Sequence, residues 1–315
     1  MDKKIKKTLH PRNIHNERYD FKALIESKPE LAPFVHENSY GDLSIDFASR
    51  EAVLALNQAL LAHFYNIKNY KLPKDALIAP IPGRADYLHY IADLLSTCNG
   101  GKIPRGEKIV GLDIGSGANC IYPVLGASLY DWNFIAADIE ASSMQSALNI
   151  IEENELLQNK IACRLQRNKK NAFTNIFTQN DRFDFTLCNP PFHASAKEAS
   201  AGSERKIRNL TKNKNAKKSL NFAGVSNELW CEGGEIAFIK KMIKESVKYG
   251  SQCFYFTTLV SKKENLQAIY KALKTLKPTE VKTIEMKQGQ KLSRFVAWTF
   301  LNKSQQDKWR KERWN

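Results

Sequence analysis

The sequence lacks the features that would place it among membrane, secreted or metal-dependent proteins. It has no apolar run of about 18 residues and no apolar stretch of a secretory signal, so we expect a soluble, cytoplasmic protein without a membrane partner. Its six cysteines are scattered singly without a C-x-x-C pair, which predicts reduced core residues. Its six histidines lack metal-site spacing, and H-E-x-x-H is absent, so no metal is expected.

Acidic residues are also scarce relative to basic ones. The 33 Asp and Glu residues stand against 48 Lys and Arg, which gives a formal net charge of +15. A protein with this positive charge attracts polyanions, which makes nucleic acid the leading partner class. The alternative is that the excess lysines only cover a solvated surface. The charge is concentrated: residues 1–18 carry six basic against two acidic residues, and residues 193–222 carry eight against two.

After residue 104, strands and helices alternate in the manner of a parallel α/β sheet. Two further strands follow one another without room for a helix, so we expect the last pairing to be antiparallel. The predicted fold class is α/β and Rossmann-like, with a mostly parallel seven-stranded sheet and one antiparallel strand near the C-terminus. The predicted strands are 109–113, 134–138, 161–165, 183–188, 252–258, 280–286 and 295–301, and the helices between them are 120–130, 142–155, 235–249 and 262–274.

A largely helical extension precedes this sheet. Residues 1–18 read as an extended segment that orders only on a surface or a ligand. Helices are predicted to begin at Asp20 and Ser49 and to cover 84–98, with residues 80–84 as a stiff extended connection into the last of them. The glycine and proline cluster at 99–104 predicts a boundary between units 1–104 and 105–315.

Two later segments carry separate predictions. Residues 193–222 are polar and lysine-rich, with almost no periodic apolar positions, so they read as a mobile basic loop. The segment 303–315 is basic but contains Trp309 and Trp314, and we expect it to pack back onto the protein as a helix.

Asn189-Pro190-Pro191-Phe192 follows the predicted strand 183–188 and is a candidate active-site loop. Its prolines fix φ at about −65° and remove two backbone donors, so the strand ends and carbonyls face outward. The Asn189 side-chain oxygen and the Pro190 carbonyl can accept from an amino group while Phe192 stacks on a ring. A rigid turn that caps a strand is the alternative, so the motif needs a second signal.

The glycine-rich turn after strand 109–113 is that second signal. Asp113 is followed by Gly115 and Gly117, which let a ligand approach the backbone closely. The third glycine of a dinucleotide fingerprint is replaced by Cys120, and no Gly-Lys-Ser/Thr follows, so neither that fingerprint nor a P-loop is supported. The remaining pattern, Asp-x-Gly-x-Gly, is typical of S-adenosyl-L-methionine (AdoMet) methyltransferases. Asp113 or the loop amides can bind the amino-acid moiety of AdoMet.

Asp138 ends the next predicted strand, at a position where a carboxylate can accept from both ribose hydroxyls of a nucleoside. The alternative is an exposed acid that favours the start of the following helix, which fits Glu140 better than Asp138. Because carboxyl ends of successive parallel strands meet at one edge, we expect Asp138, Gly115 and Asn189 to line one crevice.

These residues together give the chain a family resemblance. It resembles the class I AdoMet-dependent methyltransferases that modify amino nitrogens, and more closely the ribosomal RNA large subunit methyltransferase F family, which methylates adenine N6 in 23S rRNA. The combination is more specific than Asn-Pro-Pro-Phe alone, which also occurs in DNA adenine and protein glutamine methyltransferases. The motifs that carry the resemblance are His10-Pro11-Arg12-Asn13, Pro82-Gly83-Arg84, Leu112-Asp113-Ile114-Gly115-Ser116-Gly117-Ala118, Cys120-Ile121-Tyr122-Pro123, Asn189-Pro190-Pro191-Phe192 and Glu232-Gly233-Gly234-Glu235.

The resemblance implies AdoMet as cofactor, 23S rRNA or a large-subunit assembly particle as partner, an RNA-handling role for residues 1–104, and a monomer. It implies that Arg84, Gly115, Asp138 and Asn189 contact AdoMet or the target amine. Asp138 departs mildly from relatives, which can carry the longer Glu. Gln166 and Asn168 are candidates for the adenine ring of AdoMet. The predicted catalytic residues are Asn189, Pro190, Pro191 and Phe192, and the predicted cofactor-binding residues are Arg84, Asp113, Gly115, Gly117, Asp138 and Asn189.

Other functions remain open at this point. The Asn-Pro-Pro-Phe motif also fits a protein glutamine-N5 methyltransferase, although such an enzyme has less need of a strongly basic chain. It equally fits an N6-adenine methyltransferase that acts on DNA or on another RNA. A non-enzymatic RNA-binding protein on the same fold is the alternative from a different class.

Overall fold

The structure is a computed structural model that describes residues 9–195, 197–198, 229–288 and 291–314. Residues 1–8 and most of the predicted basic loop therefore lie outside the described residues. The helices are α1 (Phe21–Ser27), α2 (Arg50–Tyr65), α3 (Ile81–Cys98), α4 (Ile121–Tyr130), α5 (Ala141–Glu152), α6 (Gly234–Ser246), α7 (Asn265–Leu276) and α8 (Lys303–Arg313). The strands are β1 (Val35–Glu37), β2 (Leu43–Ile45), β3 (Val110–Ile114), β4 (Asn133–Asp138), β5 (Ile161–Leu165), β6 (Phe183–Cys188), β7 (Cys253–Leu259), β8 (Glu280–Gln288) and β9 (Lys291–Thr299).

Seven strands form one sheet in the order β5-β4-β3-β6-β7-β9-β8. Strands β3 to β7 pair in parallel, whereas β9 runs antiparallel to both of its neighbours. All six residues of β6 are buried, as expected for a parallel strand covered on both faces. The predicted fold class, with one antiparallel strand near the C-terminus, is confirmed. The final hairpin is longer than predicted, since β9 begins at Lys291 and not at residue 295.

The strand order reverses at β3, which lies between β4 and β6. Such a switch point leaves a crevice outside the carboxyl ends of the strands, because the connections on its two sides lead away in opposite directions. The predicted glycine-rich turn, Asp138 and Asn189 follow or end these three strands. The topology therefore brings them to one edge of the sheet.

The predicted helices of the N-terminal part are present, with one correction at α3. Helix α1 is capped by Asp20, whose side chain accepts from two backbone amides, and α2 is capped by Ser49. Helix α3 begins at Ile81, so Arg84 lies in a helical turn and not at the end of an extended connection. Pro82 is compatible with this start because the first turn of a helix needs no N–H donors. The short β1–β2 hairpin was not predicted.

The described part of the N-terminal segment is packed, which corrects the prediction that it orders only on a surface or ligand. His10, Asn13 and His15 are buried. The His15 ring bonds the hydroxyl of Tyr65 on α2 at 2.7 Å, and burial lowers the pKa of His15 to about 4. Helices α1 to α3 share one hydrophobic cluster with α4 and β4. The proposed division at residue 104 stays a prediction.

The C-terminal segment packs back as α8, as predicted, and it does so around a buried carboxylate. Asp184, on β6, is fully buried and lies in what the sequence presents as an apolar run. It accepts from the indole N–H groups of Trp309 and Trp314 at 2.7 and 2.6 Å and from the guanidinium of Arg313 at 2.8 Å. The backbone amide of Val110 donates to it at 2.7 Å. Asp184 thereby joins α8 to β3 and β6.

We expect Asp184→Asn to lower the free energy of unfolding by about 3 kcal/mol, because an NH2 group replaces the oxygen that accepts from the Val110 amide and from Arg313, and the Arg313 charge loses its counter-charge. Urea unfolding followed by circular dichroism measures this change. Asp307→Asn is the matched control. Asp307 lies on α8 and forms surface ion pairs with Lys303 and Arg310, so its replacement should have little effect on the free energy of unfolding. Equal losses in the two variants would show that Asp184 is not the anchor.

Candidate active site

A cavity of about 690 Å³ lies at the carboxyl ends of β3, β4 and β6. Six of the predicted site residues line it, and they come from α3, the glycine-rich turn, β4 and the loop after β6. Asp113, Pro190 and Phe192 do not line it: Asp113 and Pro190 are buried and Phe192 is half-buried. The predicted residues that line the cavity are Arg84, Gly115, Gly117, Asp138, Asn189 and Pro191.

The glycine-rich turn is held open by its backbone conformation and by its bonds to β4. Gly115 and Gly117 have φ of +76° and +63°, a region that favours glycine. The amide of Gly115 donates to the Ala137 carbonyl at 2.8 Å, which ties the turn to the end of β4. Cys120, the residue at the missing third glycine, also has a positive φ of 48°. The turn thus keeps its shape without that glycine.

Asp138 lines the cavity and also organises the glycine-rich turn. Its carboxylate accepts from the amide of Gly117 at 2.9 Å and from the amide of Glu140 at 3.0 Å. Burial raises the pKa of Asp138 above its ordinary value, although these amide donors lower it. A carboxylate oxygen can accept more than one hydrogen bond, so Asp138 retains capacity for the predicted ribose contacts.

Asp113 has the most unusual environment of the site. Its side chain is buried, yet neither carboxylate oxygen has a hydrogen-bond partner among the described residues. Burial raises the pKa of Asp113 well above its ordinary value, the charge of Asp138 raises it further, and the charge of Arg84 lowers it. A buried carboxyl without a partner is costly, which is a reason to expect that a ligand supplies the missing donor.

Two further buried polar groups beside the cavity lack a partner in the described part of the chain. They are the hydroxyls of Ser116 and Tyr122, both residues that line the cavity. The guanidinium of Arg84 lies 5.9 Å from the centroid of the Tyr122 ring. An acid, a guanidinium and two hydroxyls are the groups needed to bind both the ammonium and the carboxylate of an amino-acid moiety. This donor and acceptor set therefore fits the methionine part of AdoMet.

The opposite wall of the cavity is formed by the segment after β5. Gln166 lines the cavity and donates to the Thr174 carbonyl at 2.8 Å, while the neighbouring candidate Asn168 does not line it. Glu245 on α6 accepts from the amides of Ala172, Phe173 and Thr174 at 2.8–2.9 Å. One carboxylate on α6 therefore fixes the turn that closes this wall.

Trp230 is the cavity residue that the sequence analysis most clearly missed. It lines the cavity, and its indole N–H is buried without a partner among the described residues. A parallel bridge holds it: the amide of His193 donates to the Leu229 carbonyl at 3.1 Å, and the amide of Cys231 donates to the His193 carbonyl at 3.1 Å. Its place shortly before the Glu232-Gly233-Gly234-Glu235 motif was the only available signal.

That motif has a structural role at its last residue. Glu235 is buried and accepts from the amide of Ser261 at 2.6 Å and from the side chain of Asn265 at 2.6 Å. It thereby joins the start of α6 to the start of α7. Glu232, in contrast, lines the cavity.

The described ranges hold neither a cluster suited to a metal ion nor a helix suited to a membrane. Within them, no group of three His, Cys, Asp or Glu side chains has the arrangement to hold a metal ion. No described helix has the length and apolarity needed to cross a membrane.

Comparison with known proteins identifies the family. A family model described as RNA methyltransferase matches residues 3–302. The chain belongs to this RNA methyltransferase family. The ribosomal RNA large subunit methyltransferase F of Photobacterium profundum is 56% identical over 98% of this chain and 96% of its own length. The protein of the same name from Flavobacterium johnsoniae is 54% identical over 97% of each chain.

Solved structures with this fold come from human METTL16. Its catalytic domain in complex with MAT2A 3'UTR hairpin 1 superposes with a TM-score of 0.78 at 28% identity, covering 94% of this chain and 96% of that one. Its N-terminal domain in complex with S-adenosylhomocysteine (SAH) gives a TM-score of 0.72 at 26% identity, covering 93% and 99%. The chain is an AdoMet-dependent RNA methyltransferase, and the unpartnered groups of its cavity fit that cofactor.

We expect the affinity for SAH to rise with pH because of Asp113. In the free protein its raised pKa keeps the carboxyl protonated above the ordinary aspartate range of about 4. An ammonium group placed against Asp113 would stabilise its ionised form, so binding in that orientation releases a proton, and the association constant increases until the pH reaches the pKa of free Asp113. Titration calorimetry in buffers of different ionisation enthalpy measures this proton release.

Asp113→Asn is the control for this effect, because an amide has no proton to lose in this range. The variant should bind SAH more weakly and without the Asp113-linked proton release. Absence of proton release from the wild-type protein at every pH above about 4 would remove Asp113 from the ammonium site.

Proposed function

We propose that this chain transfers a methyl group from AdoMet to the N6 amino group of a specific adenine in 23S ribosomal RNA. The observation that carries the proposal is the placement of Asn189. It follows β6 and lines the same cavity as Arg84, Gly115 and Asp138. The names of the bacterial relatives support ribosomal RNA of the large subunit as the substrate.

Geometry matters more than a strong base for this reaction. Adenine N6 is a poor nucleophile because its lone pair is delocalised into the ring, while bound AdoMet supplies an activated methyl group. The Asn189 side-chain oxygen and the Pro190 carbonyl accept the two amino hydrogens and draw N6 towards a tetrahedral shape. The leaving proton passes to water. Asn189 thus positions the nucleophile and does not act as the base.

The target base must leave its stack to reach this cavity. Phe192 was predicted to stack on it, and this role stays a prediction because Phe192 does not line the cavity. Trp230 lines it and offers both an aromatic face and an indole N–H without a partner among the described residues. We therefore assign Trp230 to contact with the extruded adenine, where its N–H can donate to a ring nitrogen.

The cofactor occupies the side of the cavity formed by β3 and β4. Arg84 binds the methionine carboxylate, Asp113 binds the ammonium, and the Gly115–Gly117 turn lets the cofactor approach the backbone closely. Asp138 accepts from the ribose hydroxyls. Gln166, at the end of the next strand along the edge, contacts the adenine ring of the cofactor.

Two basic segments of the sequence, residues 1–18 and 193–222, are assigned to contact with RNA. The bridge between His193 and Trp230 brings together the two flanks of residues 199–228, a range that contains seven Lys and Arg residues. The Lys and Arg side chains of these segments supply salt-sensitive phosphate contacts. Residues 1–104 serve as an RNA-handling unit, and the enzyme acts as a cytoplasmic monomer on 23S rRNA or on a large-subunit assembly particle.

We expect Asn189→Ala to reduce methyl transfer to 23S rRNA at least about a hundredfold, because the variant loses an acceptor that acts on the reacting amine. Its affinity for SAH should change much less. A tritiated-methyl assay and calorimetry measure the two quantities. Asn149→Ala, which removes a surface amide on α5, is the control and should retain wild-type turnover. Wild-type turnover by Asn189→Ala would remove Asn189 from the mechanism.

The same assay distinguishes the alternative substrates. Labelled 23S rRNA, with label recovered as N6-methyladenosine, supports the proposal. Labelled protein glutamine with unlabelled RNA would favour the protein methyltransferase, and preferential labelling of DNA in competition would favour the DNA enzyme. Failure to bind AdoMet or SAH would indicate a non-enzymatic RNA-binding protein.

A further inference from the structure

The motif His10-Pro11-Arg12-Asn13 has no role in the mechanism above, yet its described contacts lead to the cofactor side of the cavity. The segment lies along α3, the helix that presents Arg84 to the cavity. Asn13 is 3% exposed and is not itself a lining residue. Its buried position calls for a structural reason, because an amide has four hydrogen-bonding positions to satisfy.

Asn13 bonds to α3 on both sides of Arg84. Its side-chain amide donates to the Pro82 carbonyl at 2.9 Å and to the carboxylate of Asp86 at 2.7 Å. Pro82 and Asp86 are four residues apart, about one helical turn. One side chain therefore spans the turn that carries Arg84.

Asn13 does not cap the first amides of this turn, because its NH2 group donates to oxygen atoms. The residue before α3 is Pro80, which makes no side-chain capping bond, although the first amides of a helix lack intrahelical partners. Asp86 is fully buried and accepts from the amide of His10 at 2.8 Å as well as from Asn13. The start of α3 is thus fixed from outside the helix, by the segment that contains Asn13.

A second attachment lies further along the same helix. Arg12 pairs with Asp93 at 2.7 Å and donates to the His89 carbonyl at 2.9 Å. These bonds hold the segment to α3 but lie at least one turn beyond Arg84. Arg12 and Asn13 are therefore neighbours in the sequence, and both attach the N-terminal segment to α3. Asn13 does so beside Arg84, and Arg12 does so further along the helix.

We propose that Asn13 is a positioning residue that holds the first turn of α3, and hence the guanidinium of Arg84, against the AdoMet cavity. Asn13 then belongs to the cofactor site and is not only part of an RNA-handling extension. The inference rests on the proposed contact between Arg84 and the AdoMet carboxylate. It predicts that the two residues act as one unit in cofactor binding.

A double-mutant cycle tests this coupling. SAH affinity is measured by calorimetry for the wild type, Asn13→Ala, Arg84→Ala and the double variant, at a temperature where circular dichroism shows each one folded. We expect Asn13→Ala to weaken binding about tenfold and Arg84→Ala about thirtyfold. In the Arg84→Ala background, Asn13→Ala should have less than about a twofold effect, because the group that it positions is gone.

Arg12→Ala is the matched control, since it loosens the same segment further from Arg84. It should lower thermal stability but change SAH affinity less than about twofold. If Asn13→Ala does not fold, Asn13→Ser replaces it in the cycle, because the shorter side chain cannot span Pro82 and Asp86.

The outcomes separate this inference from the proposed function. Additive effects of Asn13→Ala and Arg84→Ala, or equal losses for Asn13→Ala and Arg12→Ala, would overturn the positioning role and leave the Arg84 contact intact. Unchanged SAH affinity in Arg84→Ala would overturn the Arg84 contact and this inference together, while the role of Asn189 would stand.

Discussion

The position of β3 between β4 and β6 determines where the glycine-rich turn, Asp138 and Asn189 lie. The three strands run parallel, so their carboxyl ends meet at one edge, and the change of direction in the strand order opens the crevice there. The glycine-rich turn, Asp138 and Asn189 each lie at or directly after one of these ends. The topology thus brings the candidate residues of these three strand ends to one cavity.

Two buried aspartates of the same sheet differ in whether the described residues supply hydrogen-bond donors to them. Asp184 near the start of β6 receives donors from α8 and from Val110, so its buried charge anchors the fold. Asp113 near the end of β3 has no partner in the described residues. Burying a carboxyl without a donor opposes folding, and such a departure is expected at a site shaped for a ligand. The contrast supports Asp113 as a cofactor residue.

The sequence predicts those features that depend on local patterns. The strands are buried apolar runs, the turn is marked by Gly115 and Gly117, and the end of β6 by two prolines, so fold class and the core of the site follow from short segments. Features that depend on distant partners were missed or misplaced. Asn13 bonds a carboxylate 73 positions away, and Trp309 bonds Asp184 across 125 positions, and neither pairing leaves a periodic signal. Trp230 likewise reaches the cavity only through its bridge to His193.

The central claim is that Asn189 and its neighbours direct methyl transfer to one adenine of 23S rRNA. Mass-spectrometric mapping of 23S rRNA from cells that lack the protein tests it most directly, with complementation by the wild type and by Asn189→Ala. The account predicts one N6-methyladenine that is lost without the protein, restored by the wild type and not restored by the variant. Identical 23S rRNA methylation in all four samples, the parent strain included, would contradict it.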